Sequence, residues 1–158
     1  MNEQEGDYNK KISDFSKSFV LLDKKDYQPQ EYGYSKVEPC DILTNKNQFI
    51  HVKKGESSSK LSHLFLQGLV SAKILAQDRQ NFIEHINSKI TEQNKKFFLS
   101  AKDKNEKFEI IFGIINKRKI NNQDLLPFFS MITLIQVVDE LNVMGFNYSL
   151  MMINRETD

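Results

Sequence analysis

A chain of 158 residues with one cysteine and a net charge of +1 falls in the roughly 100–200 residues of one typical domain, large enough to bury a core without disulfide help. Near-neutral charge removes any global electrostatic case for nucleic acid. No apolar run approaches the roughly 20 residues that cross a bilayer, and Cys40 has no partner for an intrachain disulfide, which fits a reducing cytoplasm.

The opening Met1-Asn2-Glu3-Gln4-Glu5-Gly6-Asp7 is polar and acidic, unlike a secretory leader. Residues 1–15 read as a tail with a weak helix from about Asp7 to Phe15, and 16–158 as one domain. Phe19-Val20-Leu21-Leu22 is a short apolar strand ending at Asp23-Lys24-Lys25. Pro29 and Gly33 mark a loop. Val37 to Leu43 and Phe49 to Lys53 are predicted as an antiparallel hairpin turning at Asn45-Lys46-Asn47.

Ser58 or Ser59 is placed to cap a helix over Lys60 to Leu75, whose buried stripe is Leu61, Leu64, Phe65, Leu69, Ala72 and Leu75. Leu66 and Val70 on its other side predict a helix covered on both sides. A second helix is expected from about Asp78 to Thr91 on Phe82, Ile83, Ile86 and Ile90. After a charged connector, Phe108 to Ile115 reads as a central strand buried on both faces. Ser130 is expected to cap a helix through Met144, with Leu134, Ile135, Val138 and Leu141 inward and Gly145 as its stop. Phe146 to Ile153 closes the chain as a strand. The fold class is therefore α/β (α+β), a mixed β-sheet flanked by helices in the order α-β-β-β-α-α-β-α-β. Its strand–helix–strand ending predicts a parallel pair.

The chemistry concentrates on the third strand. At period two, Ile50 and Val52 are assigned to the core, and Phe49, His51 and Lys53 to the opposite face. Across the hairpin, Asp41 is expected opposite His51 or its neighbour, so that an acid, an imidazole and an ammonium meet. Ser59, His63 and Gln67 repeat at i, i+4, i+8 on the following helix. Lys54 and Lys60 stand where a phosphate would pass, Lys60 in the first helical turn. Further lysines cluster at Lys95, Lys96, Lys102, Lys104 and Lys107, and at Lys117, Arg118 and Lys119, a pattern also typical of solvated faces. Asp41 as a turn cap and Asp41–His51 as a structural pair are the plain alternatives.

Glu38-Pro39-Cys40-Asp41 and His51-Val52-Lys53 resemble the PD-(D/E)xK nuclease superfamily, whose core has an acid on the second strand and acid-x-Lys on the third. The resemblance implies Asp41 and Glu38 as ligands of a divalent metal, Mg²⁺ or Mn²⁺, with Lys53 as electrostatic helper. His51 stands where the second carboxylate belongs; imidazole suits Mn²⁺ or Zn²⁺ better than Mg²⁺. In a straight strand Glu38 faces away from Asp41, unless Pro39 bends the chain; Glu56 is a further candidate acid. By the same resemblance His63 and Gln67 are site residues.

A broader resemblance is carried by Val37-Glu38-Pro39-Cys40-Asp41-Ile42-Leu43, Phe49-Ile50-His51-Val52-Lys53, Ser57 to Phe65, Gln67-Gly68 and Leu126-Pro127-Phe128-Phe129-Ser130. These segments look like a sporadically distributed bacterial family of unknown function, with longer members whose C-terminal part this chain resembles. It implies a defence or mobile-element setting and a missing N-terminal part as a partner. The expected function is a nuclease-like domain hydrolysing phosphodiesters with Asp41, His51, Lys53 and His63. Three other readings stand beside it. They are a nucleic-acid-binding module without catalysis, a protein-interaction module, and a metal-independent ribonuclease with His51 and His63 as base and acid.

Overall fold

A computed structural model describes residues 18–29, 35–116 and 126–154. The expected helix over 7–15, Gly33 of the loop, and Lys117, Arg118 and Lys119 lie outside the described residues. The elements are β1 (Phe19–Leu21), β2 (Ile42–Thr44), β3 (Gln48–Lys54), α1 (Ser58–Gln77), α2 (Arg79–Ser88), two 3₁₀ turns (Glu92–Phe97 and Asn105–Lys107), β4 (Glu109–Asn116), α3 (Phe128–Met144) and β5 (Asn147–Asn154). They build a five-stranded mixed sheet flanked by helices, in the order β1-β2-β3-β4-β5.

The first three strands form an antiparallel meander, with Leu21 opposite Ile42 and Ile42 opposite Ile50. Its tight turn places Asn47 at φ 58°, a left-handed conformation that Asn tolerates better than most residues. The helices α1 and α2 carry the chain over to β4, which pairs parallel to β3, and α3 carries it to β5, parallel to β4. Among the described residues no helix is long and apolar enough to cross a membrane.

The larger core lies between the sheet and the helices, with Phe49, Phe65, Phe108 and Phe112 at its centre. A smaller one on the other face joins Ile42, Ile50, Val52, Ile111, Ile115 and Ile153. This corrects the assignment of faces on β3. The alternation is as expected, but Phe49 is fully buried in the larger core while Ile50 and Val52 serve the smaller one. β3 contributes to a core on each face, so polarity alone does not tell the main core face from the other.

Ser57 caps α1, accepting from the Lys60 N–H at 3.2 Å, one residue earlier than predicted. All six stripe residues of α1 are buried; each such Leu or Phe contributes about 1.5–3 kcal/mol. Gly68 lets this helix lie close on the sheet, since a Cβ there would sit 2.4 Å from the Phe112 ring. Leu66 and Val70 are exposed rather than covered. The third helix expected to bury an apolar stripe also differs: α3 begins at Phe128 after Pro127, and Ser130 donates to the Pro127 carbonyl at 2.7 Å instead of capping. It buries Ser130, Val137 and Leu141, whereas Ile135 is 60% exposed. Apolar residues occur on every side of this helix, so periodicity does not select its inward face. Gly145, at φ 79°, ends it as predicted.

Candidate functional site

The second strand is shorter than the sequence suggests, and the shortening builds the site. Pro39 has no N–H to give a ladder, and the segment before Ile42 leaves the sheet. Val37 pairs with Tyr27 in an isolated bridge with hydrogen bonds of 2.7 and 2.8 Å. Asp41 stands at the bend. Its N–H donates to the Ile50 carbonyl at 3.0 Å and its own carbonyl accepts from Leu22 N–H at 2.8 Å. Its carboxylate turns back to accept the Val52 N–H at 2.6 Å.

These bonds bring three acids together. Asp23 follows the end of β1, Glu38 precedes the bend, and Asp41 is on it; one oxygen of each lies within 4.8 Å of the others. Residues 38–41 are not extended strand, so the straight-strand geometry that turns Glu38 away from Asp41 does not apply, and the two acids meet as the alternative of a bend at Pro39 allowed. Ser71, buried in α1, donates to the Pro39 carbonyl at 2.6 Å and fixes the segment against the helix. At the other end, Tyr27 packs on Phe82 and His85 and donates to the Asp78 carboxylate. Burial, followed by that carboxylate, pushes the phenol up to about 12.

The acids line one part of a cleft of about 980 Å³. Lys24, Asp26 and Lys36 come from the loop side, and Lys53 and Lys54 from the end of β3. One face of α1 supplies Lys60, His63, Leu66, Gln67 and Val70. Of the residues singled out from the sequence, the cleft thus gathers Glu38, Asp41, Lys53, Lys54, Lys60, His63 and Gln67. Lys60 also pairs with Glu56 at 2.6 Å, which occupies that alternative acid away from the carboxylate trio.

His51 is placed elsewhere. It sits on the Phe49 face of β3, 3% exposed, outside the cleft lining. Burial, with Lys53 adding to it, lowers its pKa to about 4, so the ring is neutral near pH 7. Its Nε2 has no hydrogen-bond partner among the described residues. The register does set Asp41 beside His51 in the hairpin, one step beyond Ile42 opposite Ile50. The carboxylate, however, takes the main-chain N–H of Val52 instead of the imidazole.

The electrostatics of the acid group follow from crowding in a partly enclosed space. Burial raises Asp41 to about 7, with Asp23 and Glu38 adding to the rise, while the Val52 N–H and Lys53 oppose it. Burial also raises Glu38, reinforced by Asp23 and Asp26. A cation among these oxygens would relieve both desolvation and mutual repulsion, and hard divalent ions take carboxylate oxygens. The donor set is all oxygen, so it fits Mg²⁺ or Mn²⁺ better than a soft metal.

Sequence reasoning missed Asp23, whose place follows from the β1–β2 register and not from any local pattern. With Leu21 opposite Ile42, the residue two beyond Leu21 falls beside the segment that carries Glu38 and Asp41. Lys24, Lys36, Leu66 and Val70 as cleft residues depend on the loop's path and on the exposed side of α1, which no local pattern encodes. Cys40, between the acids, is fully buried, and burial raises its thiol well above the ordinary range; it offers no thiolate nucleophile.

A family model described as a family of unknown function (DUF6119) matches residues 2–154, and the chain belongs to that family. Neither the curated proteins nor the solved structures gave a match.

Proposed function

We propose that this DUF6119 member binds a divalent cation at Asp23, Glu38 and Asp41 and, with Lys53, hydrolyses phosphodiester bonds in nucleic acid. One observation carries the reading: three carboxylates with oxygens within 4.8 Å of one another share a cleft with Lys53 and a surround of Lys24, Lys36, Lys54 and Lys60. Acids alone are common on surfaces. Acids facing lysines across a cleft suit a ligand that is itself anionic and is joined to the protein through a cation.

The PD-(D/E)xK resemblance supports the same reading through Asp41 at the start of β2 and Lys53 on β3, in a meander followed by a helix and a parallel strand. The departure at His51 is met by Asp23, which supplies a carboxylate from the turn after β1. A bound cation would polarise the scissile phosphate and acidify a water. The chain's own groups do the rest. The Lys53 ammonium stabilises negative charge growing on the phosphoryl oxygens. Lys54 and Lys60 hold adjacent phosphates, and His63 and Gln67 offer hydrogen bonds from the helix wall. The attacking water oxygen forms the new P–O bond as the ester P–O bond breaks, and the proton the water gives up passes through solvent to the leaving oxygen.

A metal-independent ribonuclease using His51 and His63 is disfavoured, because His51 is sealed from the cleft. The test is incubation with single- and double-stranded DNA and RNA in Mg²⁺ or Mn²⁺. Cleavage is expected, abolished by EDTA and reduced about 10²-fold or more in Asp41→Ala and Lys53→Ala. Salt-sensitive binding without cleavage under either metal would replace hydrolysis with a binding role. Cleavage untouched by both substitutions would remove the site assignment.

A further inference from the structure

We propose that the β5 edge of the sheet, with the adjoining face of α3, is the contact surface for a second copy of this chain. This inference is independent of the cleft and its chemistry. It begins from what β5 lacks. The strand Asn147–Asn154 ends the sheet among the described residues, and none of its eight residues is charged. Proteins blunt sheet edges with lysine, proline, bulges or short strands. β5 has no lysine or proline, runs for eight residues and keeps an unbroken register with β4.

On the helix side of β5, Tyr148, Leu150 and Met152 are partly exposed, Leu150 at 41%. The helix α3, which leads into β5 through the Gly145 turn, lies beside them, and Asn142 donates to the Tyr148 hydroxyl at 3.3 Å. Farther along the same helix, Ile135, Ile132 and Phe128 are exposed, Phe128 at 66%. At about 200 Å² for each large side chain, these six residues present roughly 550 Å² of apolar surface. A standard interface buries about 800 Å² per partner, a little over half of it apolar. The apolar area on offer therefore matches what a stable pair needs.

A second copy fits better than a charged partner, since the strand itself selects for no opposite charge and opposes no copy of itself, and the α3 stripe through Phe128, Ile132, Ile135 and Asn142 adds one exposed charge, Asp139. Antiparallel pairing about a two-fold axis also closes, giving a dimer rather than a fibre. Opposed residues in such a pair share a face. With Leu150 on the axis, Leu150 meets its own copy and Tyr148 meets Met152 on the helix side.

The full chain is tested by sedimentation equilibrium up to about 100 µM, where micromolar association is readily populated. A species of twice 18.5 kDa is expected. Leu150→Lys and Leu150→Glu, at a partly exposed position, should each be folded by circular dichroism and shift to monomer, weakening association at least tenfold. Mixed one to one, the two variants should recover a dimer, since lysine then meets glutamate at the axis. Wild-type chain that stays monomeric across this range overturns the proposal, as does Leu150→Lys that dimerises like wild type. Failure of the mixed pair, with each variant monomeric and wild type dimeric, overturns the placement of Leu150 on the axis.

Discussion

The buried imidazole of His51 and the half-buried carboxylate of Asp41 should pull the pH dependence of stability in opposite directions. His51 has a folded pKa of about 4, against an ordinary 6.5. Between those values the unfolded chain takes up a proton that the folded chain refuses. Its contribution is therefore fully present above pH 6.5 and is lost as pH falls through 4. At 1.36 kcal/mol per pH unit the gap is worth about 3 kcal/mol. Asp41 has the reverse sign, being raised from 3.8 to about 7. Its contribution is present below pH 3.8 and is lost as pH rises through 7. That amounts to up to about 4 kcal/mol, less what solvent at the cleft returns. The two slopes oppose each other from about pH 4 to 6.5, so removing either group should expose the other. The assay is urea unfolding in EDTA at pH 7, 6, 5 and 4. Relative to wild type, His51→Leu should gain about 3 kcal/mol on going from pH 7 to 4. Asp41→Asn should gain relative to wild type on going from pH 4 to 7. Comparing each variant with wild type cancels the other carboxylates. A His51→Leu difference that stays constant across this range would refute the claim that the imidazole is held neutral by burial.

Packing at the helix–sheet contact gives another expectation. Gly68→Ala would put a methyl 2.4 Å from the Phe112 ring and 2.9 Å from Ile110, and should destabilise by about 1–3 kcal/mol, measured by thermal or urea unfolding. Ser71→Ala removes the 2.6 Å bond to the Pro39 carbonyl and should destabilise by about 1–3 kcal/mol. It should also weaken Mn²⁺ binding, read by titration calorimetry, because the segment bearing Glu38 and Asp41 loses its tie to α1.

Much of the frame was readable in advance because its elements carry one-sided patterns. The stripe of α1, the continuous apolar run of β4 and the Asn45-Lys46-Asn47 turn each have one structural solution. Where apolar residues cover both sides, as on β3 and α3, alternation gives the period but leaves the face undetermined. That is why Phe49 went to the wrong side and Ile135 was expected inside. The site was legible for Asp41, Lys53 and the His63–Gln67 face, since hairpin register and helical spacing place them. It was not legible for Asp23, which reaches Asp41 across a strand pair. His51 was misplaced for the same reason as Phe49: the face assumed to be open is the floor of the larger core.

The order of strands puts the acid cleft at one end of the sheet and the uncharged edge at the other. A two-fold joint at that edge would leave both recesses opening toward the same side of a ten-stranded sheet. Counting seven strand spacings from β2 to its mate, they would stand about 34 Å apart before twist shortens the path. Occupying one would then neither cover nor crowd the other. A ligand long enough to reach both would be held at a high effective concentration without any new contact.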